Sequence, residues 1–203
     1  PKASMILKSK SVHGIMGNAR DLEYLAMKLE EKGAVVLQSR RNEYMKSLSG
    51  IKESAERLVE EIHEISLANP QLNKISFVGN SLGGLFSRYA VKLLSIMAEG
   101  DKDATDLYLT TETGADLGIK LYPNKFITIA SPHLGVLDHI WLQDVLQNLF
   151  RRDHVWFPDW LKYIISKTMF RSGKEVFLNA NGGLSKKDVT DSLIYRMATE
   201  ERW

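Results

Sequence analysis

Apolar residues along this chain follow two alternating rhythms. Short, nearly continuous apolar runs occupy 34–38 (Ala-Val-Val-Leu-Gln), 75–78 (Ile-Ser-Phe-Val) and 125–130 (Lys-Phe-Ile-Thr-Ile-Ala). Between them, apolar residues recur every three or four positions. Leu22, Leu25, Ala26 and Leu29 do so within 18–32, and Gly33 ends the run. Ile51, Ala55, Leu58, Ile62 and Ile65 do so next, stopped by Asn69-Pro70, and a third such stretch covers 82–98. Short runs predict buried strands, and the wider spacing predicts amphipathic helices. Residues 5–12 predict a first strand, although Lys8 and Lys10 interrupt it. Residues 100–122 are polar and irregular and read as an excursion. Strands alternating with helices predict an α/β fold: a mainly parallel sheet with helices on both faces.

After Ala130 the strand pattern stops. Helices are expected over 138–150 and 157–170, then a break at Asn181-Gly182-Gly183. Ser185 to Asp188 resembles a capping box that opens a last helix, with Val189, Leu193, Ile194 and Met197 inward. The most aromatic stretch is 155–170. There Trp156, Phe157, Trp160, Leu161, Ile164 and Ile165 share one helical side, and Lys162 and Lys167 lie away from it. This predicts a helical cap over 138–171, packed across the sheet and pocket mouth. The same face also suits peripheral contact with a lipid surface. No repeat or linker divides the 203 residues, so a single domain is expected.

Composition narrows the function classes. Hydrophobic residues make up 44% and charged residues 26%, and the net charge is +2. That balance gives no reason to expect a nucleic-acid partner. With no cysteine, disulfides, thiolate metal sites and a cysteine nucleophile are excluded. No apolar run approaches the roughly 20 residues that span a bilayer. A cytoplasmic location is expected, with peripheral lipid contact as an addition.

Candidate chemistry centres on Gly79-Asn80-Ser81-Leu82-Gly83-Gly84. A phosphate-binding P-loop needs Gly-Lys-Ser/Thr at its end, and a dinucleotide loop needs Gly-x-Gly-x-x-Gly. Neither fits. Gly-x-Ser-x-Gly does, with an apolar run before it and a helix after it. A serine on so sharp a turn needs small residues two before and two after. The following helix aims its N-terminal N–H groups at the same place, which suits a developing oxyanion. A plain strand–helix turn rich in glycine is the alternative. A second motif, Val12-His13-Gly14-Ile15-Met16-Gly17, follows the first strand. A His-Gly loop there supplies one oxyanion N–H and the residue after the nucleophile supplies the other. Those would be Ile15 (or Met16) and Leu82, with Gly14 and His13 ordering the loop and a role as base the other reading of His13.

The stretches "VHGIMGNARDLEYL", "GNSLGGLFSRYAV", "FITIASPHLGV" and "LIYRMATEERW" together resemble the serine esterase/lipase family of plants and fungi, within the α/β-hydrolase superfamily. The resemblance runs from Val12 to Trp203. It implies a hydrolase of carboxylic esters, with an acyl lipid as substrate, Ser81 as nucleophile and no metal or cofactor. It also implies an α/β-hydrolase core with central strands in the order second, first, third, fourth, and a triad in the order Ser, acid, His. No strand–Asp and strand–His pair follows Ala130, so the domain is expected to be truncated at both ends, with acid and base beyond it. Of the five histidines, His133 in "ASPHLGV" is the internal candidate for a base, and shaping of the pocket wall is its other reading. Three alternatives stay open: a catalytically silent hydrolase-like protein, a fragment binding lipid or a protein partner, and an acyltransferase that excludes water.

Overall fold

A computed structural model describes residues 7–71, 74–98, 107–110 and 116–135, with positions 175, 193, 196 and 197. In chain order the elements are β1 (Leu7–Val12), α1 (Glu23–Glu30), β2 (Ala34–Gln38), α2 (Ile51–Ala68), β3 (Lys74–Asn80), α3 (Leu82–Ala98), β4 (Leu107–Thr110) and β5 (Asp116–Ile129). The chain divides into two units. The first holds residues 1–47 and 51–131, the second 48–50 and 132–203.

In the first unit, β3 is the axis. Its Ile75, Ser76, Phe77, Val78 and Gly79 are all buried. It pairs in parallel with β1 on one side and β5 on the other. The sheet order is β2-β1-β3-β5-β4. The four parallel strands therefore lie as expected, second, first, third, fourth. β1 is central despite its lysines, because it pairs along its length with both β2 and β3.

The excursion differs from expectation. Leu107–Thr110 and residues 116–121 of β5 form an antiparallel ladder, Leu107 opposite Leu121 and Thr110 opposite Asp116. β5 is thus a 14-residue strand rather than one confined to 125–130. Pro123 sits in it where the register with β3 shifts, between Ile75 and Ser76. A proline donates no ladder hydrogen bond, so such irregularities are where a strand tolerates it.

The helices follow the spacing of their apolar residues. α2 buries Ile51, Ala55, Leu58, Val59 and Ile62, and ends before Asn69-Pro70. α3 buries Leu82, Leu85, Phe86, Ala90 and Leu94, and packs against α2 and the sheet. His63, which by sequence sits among glutamates, is half-buried, and its Nε2 is buried with no partner. α1 is shorter than the 18–32 expected. A 3-10 turn, Ala19–Leu22, precedes it, capped by the Asn18 side chain with Asp21 reciprocating. α1 packs on β2. Because the chain reverses direction across the sheet after β2, right-handed crossovers put α1 on the face opposite α2 and α3.

In the second unit, Gly135 N–H donates to Pro132 O at 3.0 Å, closing a turn with Gly135 at φ +82°. Met197, expected on an inward face, is fully buried and helical. The cap segment 138–171, including the aromatic stretch, lies outside the described residues, as does the capping box at 185–188.

Leu58 is fully buried, so Leu58→Ala should lower the unfolding free energy by about 2–5 kcal/mol. Urea unfolding followed by circular dichroism measures it. A loss within 0.5 kcal/mol would contradict the packing described for α2.

Candidate functional site

β3 runs into α3 through a single residue, Ser81. Its φ is +52°, in the left-handed region that non-glycine residues rarely occupy. Such a conformation costs about 1–2 kcal/mol, and three close approaches hold it. A Cβ on Gly79 would lie 2.4 Å from Gly84 Cα, so strand end and helix start touch backbone to backbone. A Cβ on Gly83 would lie 2.2 Å from Val12 O and 2.5 Å from His13 O. A Cβ on Gly84 would meet Ser131 Oγ at 2.0 Å. The glycines two before and two after Ser81 are thus required by space. Two backbone bonds complete the turn: Ser81 N–H donates to Ile129 O at 2.8 Å, and Gly84 N–H to Ser81 O at 3.1 Å.

The His-Gly loop lies against this turn. A Cβ on Gly14 would stand 2.9 Å from Ser81 Cβ and 3.4 Å from Ser81 Oγ. Gly14 O accepts from Gly17 N–H at 3.2 Å, closing a tight turn with Ile15 and Met16 at its centre. Gly14 O also lies 3.0 Å from His13 Nδ1. A carbonyl only accepts, so Nδ1 carries the proton. Its Nε2 is buried without a partner. His13 therefore bonds the loop it belongs to.

The two amides at the centre of that turn differ. Met16 N–H donates to Ser47 Oγ at 2.8 Å. Ile15 N–H and Leu82 N–H make no hydrogen bond with any described residue. Of the two loop donors suggested by the sequence, Met16 is occupied and Ile15 is open. No described side chain hydrogen-bonds Ser81 Oγ. His133 belongs to the second unit, is half-buried and is already engaged in an interaction. Among the described residues no group of three or more His, Asp or Glu is arranged to hold a metal ion. Nor is any described helix long and apolar enough to cross a membrane.

A Cβ at residue 83 has only backbone to meet. Gly83→Ala should therefore destabilise the fold by more than about 2 kcal/mol, far outside the range of an ordinary glycine-to-alanine change in a helix. Equilibrium unfolding checks this. At residue 81, φ favours glycine over alanine. Ser81→Gly should be more stable than Ser81→Ala by about 1 kcal/mol, and equal stabilities would mean that the turn relaxes out of the left-handed region.

Comparisons with known proteins give a family and a fold. The family described as "Putative serine esterase (DUF676)" matches residues 11–202. The chain is 31% identical over 134 residues to "Putative lipase C4A8.10" of Schizosaccharomyces pombe, covering 61% of this chain and 15% of that protein. It is 30% identical over 132 residues to "Putative lipase ROG1" of Saccharomyces cerevisiae, covering 62% of this chain and 17% of that one. The chain thus spans about a sixth of the length of these curated relatives. Among solved structures, the mature form of the Bacillus licheniformis lipase BlEst2 superposes with a TM-score of 0.50 at 14% identity, over 96% of this chain and 63% of that one. Its propeptide form superposes with a TM-score of 0.51, over 96% of this chain and 34% of that one. The fold is that of α/β-hydrolase lipases, and the chain belongs to the serine esterase family DUF676.

Proposed function

We propose that this chain carries the nucleophile half of a serine hydrolase for carboxylic esters, with an acyl lipid as substrate. The observation that carries the reading is Ser81 itself. It is a non-glycine residue held at positive φ between a buried strand and a helix N-terminus, by glycines that have no room for a side chain. Holding serine in that conformation has a cost, and it sets the hydroxyl above the sheet edge. Membership of a serine esterase family supports the same chemistry.

In this reading Ser81 Oγ attacks the ester carbonyl carbon and its proton passes to a base. The carbonyl oxygen takes the negative charge and is met by Ile15 N–H and Leu82 N–H. The C–O bond then breaks, the alcohol leaves with the proton, and water releases the acyl group from Ser81. The family resemblance implies a base and an orienting carboxylate that follow Ser81 in sequence. His133 is the candidate within the described residues, and the family resemblance puts both groups later in sequence. An acyltransferase would use the same serine and exclude water at the last step. The 155–170 face as a lipid contact, and a cytoplasmic location, remain part of the proposal. One observation favours a second reading, a hydrolase fold that does not turn over: no described side chain bonds Ser81 Oγ.

Fluorophosphonate labelling of the folded chain separates the two readings. Label on Ser81, lost in Ser81→Ala and Ser81→Gly, is the expected outcome, with ester hydrolysis falling by at least about 10³-fold in both variants. Abolition in His133→Ala with the fold intact would assign the base. A folded wild-type chain that takes no label would leave the second reading standing.

A further inference from the structure

The loop after β2 is bonded to the His-Gly loop at three points. Met16 N–H donates to Ser47 Oγ at 2.8 Å, Tyr44 N–H donates to Gly17 O at 2.9 Å, and Ala19 N–H donates to Glu43 Oε1 at 3.0 Å. These bonds join two backbone positions in the left-handed region, Met16 at φ +53° and Tyr44 at φ +53°. Neither is a glycine, so each conformation must be imposed from outside the residue. The Ser47 hydroxyl is fully buried and has a definite direction. It donates to Tyr44 O at 2.6 Å, which leaves its lone pairs for Met16 N–H.

This loop is in turn fixed to α2. Asn42 is fully buried and its Nδ2 donates to Ser54 O at 2.8 Å. Arg57 Nε donates to Asn42 Oδ1 at 2.8 Å, and Arg57 Nη2 to Lys46 O at 2.7 Å. Burial lowers the Arg57 pKa from its ordinary value, against the pull of Glu53, Glu60 and Glu56. It stays cationic at any working pH, and its bonds are charge-assisted. A rigid helix thus holds 42–47, and 42–47 holds the turn at 14–17.

From this we infer that Ser47 is a positioning residue for the proposed reaction: by taking the Met16 amide it fixes the 14–17 turn so that the Ile15 amide stays unbonded and faces the oxyanion. Two successive amides on such a turn compete for whatever acceptor is near. Ser47 resolves the competition, because the amide it binds is withdrawn from the site. The inference rests on the reading of Ser81 as nucleophile, and nothing in the Ser47 environment requires contact with substrate. Loss of the hydroxyl frees the turn to rotate its donors, and loss of one oxyanion donor lowers turnover by about 10²–10³-fold. Partial misalignment lies below that ceiling.

The test compares wild type, Ser47→Ala and Ser47→Thr with two readouts. The first is amide hydrogen exchange across 13–19. The second is the fluorophosphonate reaction, split into its binding constant and its limiting rate. Ser47→Ala should speed exchange at Met16 by about 10-fold or more. It should lower the limiting rate by about 10–100-fold and leave the binding constant unchanged. Ser47→Thr, which keeps the hydroxyl, should restore both, and a thermal midpoint for each variant excludes global unfolding. If Thr is too bulky for the site, its midpoint falls, and Ser47→Ala alone decides. Unchanged exchange at Met16 in folded Ser47→Ala overturns the latch. Faster exchange with an unchanged limiting rate overturns the positioning role. A wild-type chain that takes no label defeats the reading of Ser81, and with it the role of Ser47 in that reaction, while exchange still reports whether the bond exists.

Discussion

Everything in the first unit is arranged around one backbone contact, the start of α3 pressed onto the ends of β1 and β3. At Gly83 the gap to Val12 O is too small for a methyl group, and at Gly79 the strand meets Gly84 directly. Close packing of backbone on backbone fixes the direction of α3 relative to the sheet more tightly than side chains do, since no rotamer can give way. The register of β3 against β1 and β5 then places Gly79 beside Val12 and Thr128. Ser81 is held at the point where these three strands end.

The same contact brings the His-Gly loop to the serine. Gly14 lies so close to Ser81 that each limits the other's backbone. The loop has no secondary structure of its own, and its order comes from neighbours: its own His13 imidazole, the Ser47 hydroxyl and the Tyr44 amide. Two distant parts of the sequence, 13–19 and 42–47, therefore form one hydrogen-bonded layer over the sheet edge, with α2 behind it. Surface ion pairs add to this edge in a lesser way. Arg41 bonds both Glu60 and Glu64 from the loop after β2, but such exposed pairs are worth little individually.

Much of this is legible in the sequence, and the parts that are not have physical reasons. The limits of α2 and α3 follow from apolar spacing, from Asn69-Pro70 and from the glycine cluster. The parallel sheet follows from the alternation of elements, and its strand order from the family resemblance. Ser81 stands out because glycines flank it at the spacing a tight turn needs. β1 is harder to read, since its lysines hide a strand paired on both sides. The antiparallel ladder of β4 with β5 is invisible in a polar stretch, because ladder bonds are made by backbone and leave little mark on composition. The choice between Ile15 and Met16 also escapes the sequence. It depends on a serine thirty-one residues away, and an isolated serine in a loop carries no signal. The same holds for Asn42 and Arg57, whose bonds to Ser54 O, to the Asn42 side chain and to Lys46 O belong to no motif.

Among the described residues, the four non-glycine residues at positive φ are Met16, Tyr44, Ser81 and Ala130. Each follows a parallel strand: β1, β2, β3 and β5 in turn. The sheet therefore concentrates unfavourable backbone conformations along one rim. This changes how natural variation at that rim should be weighed. Replacing Met16 by valine or leucine by isoleucine elsewhere looks mild on any chemical similarity scale. At position 16, 44 or 130, however, proline and β-branched residues are the harshest choices, and asparagine or glycine the gentlest. At the rim, tolerance is ranked by torsion angle, and similarity of side-chain chemistry is a poor guide to which relatives have kept the same shape.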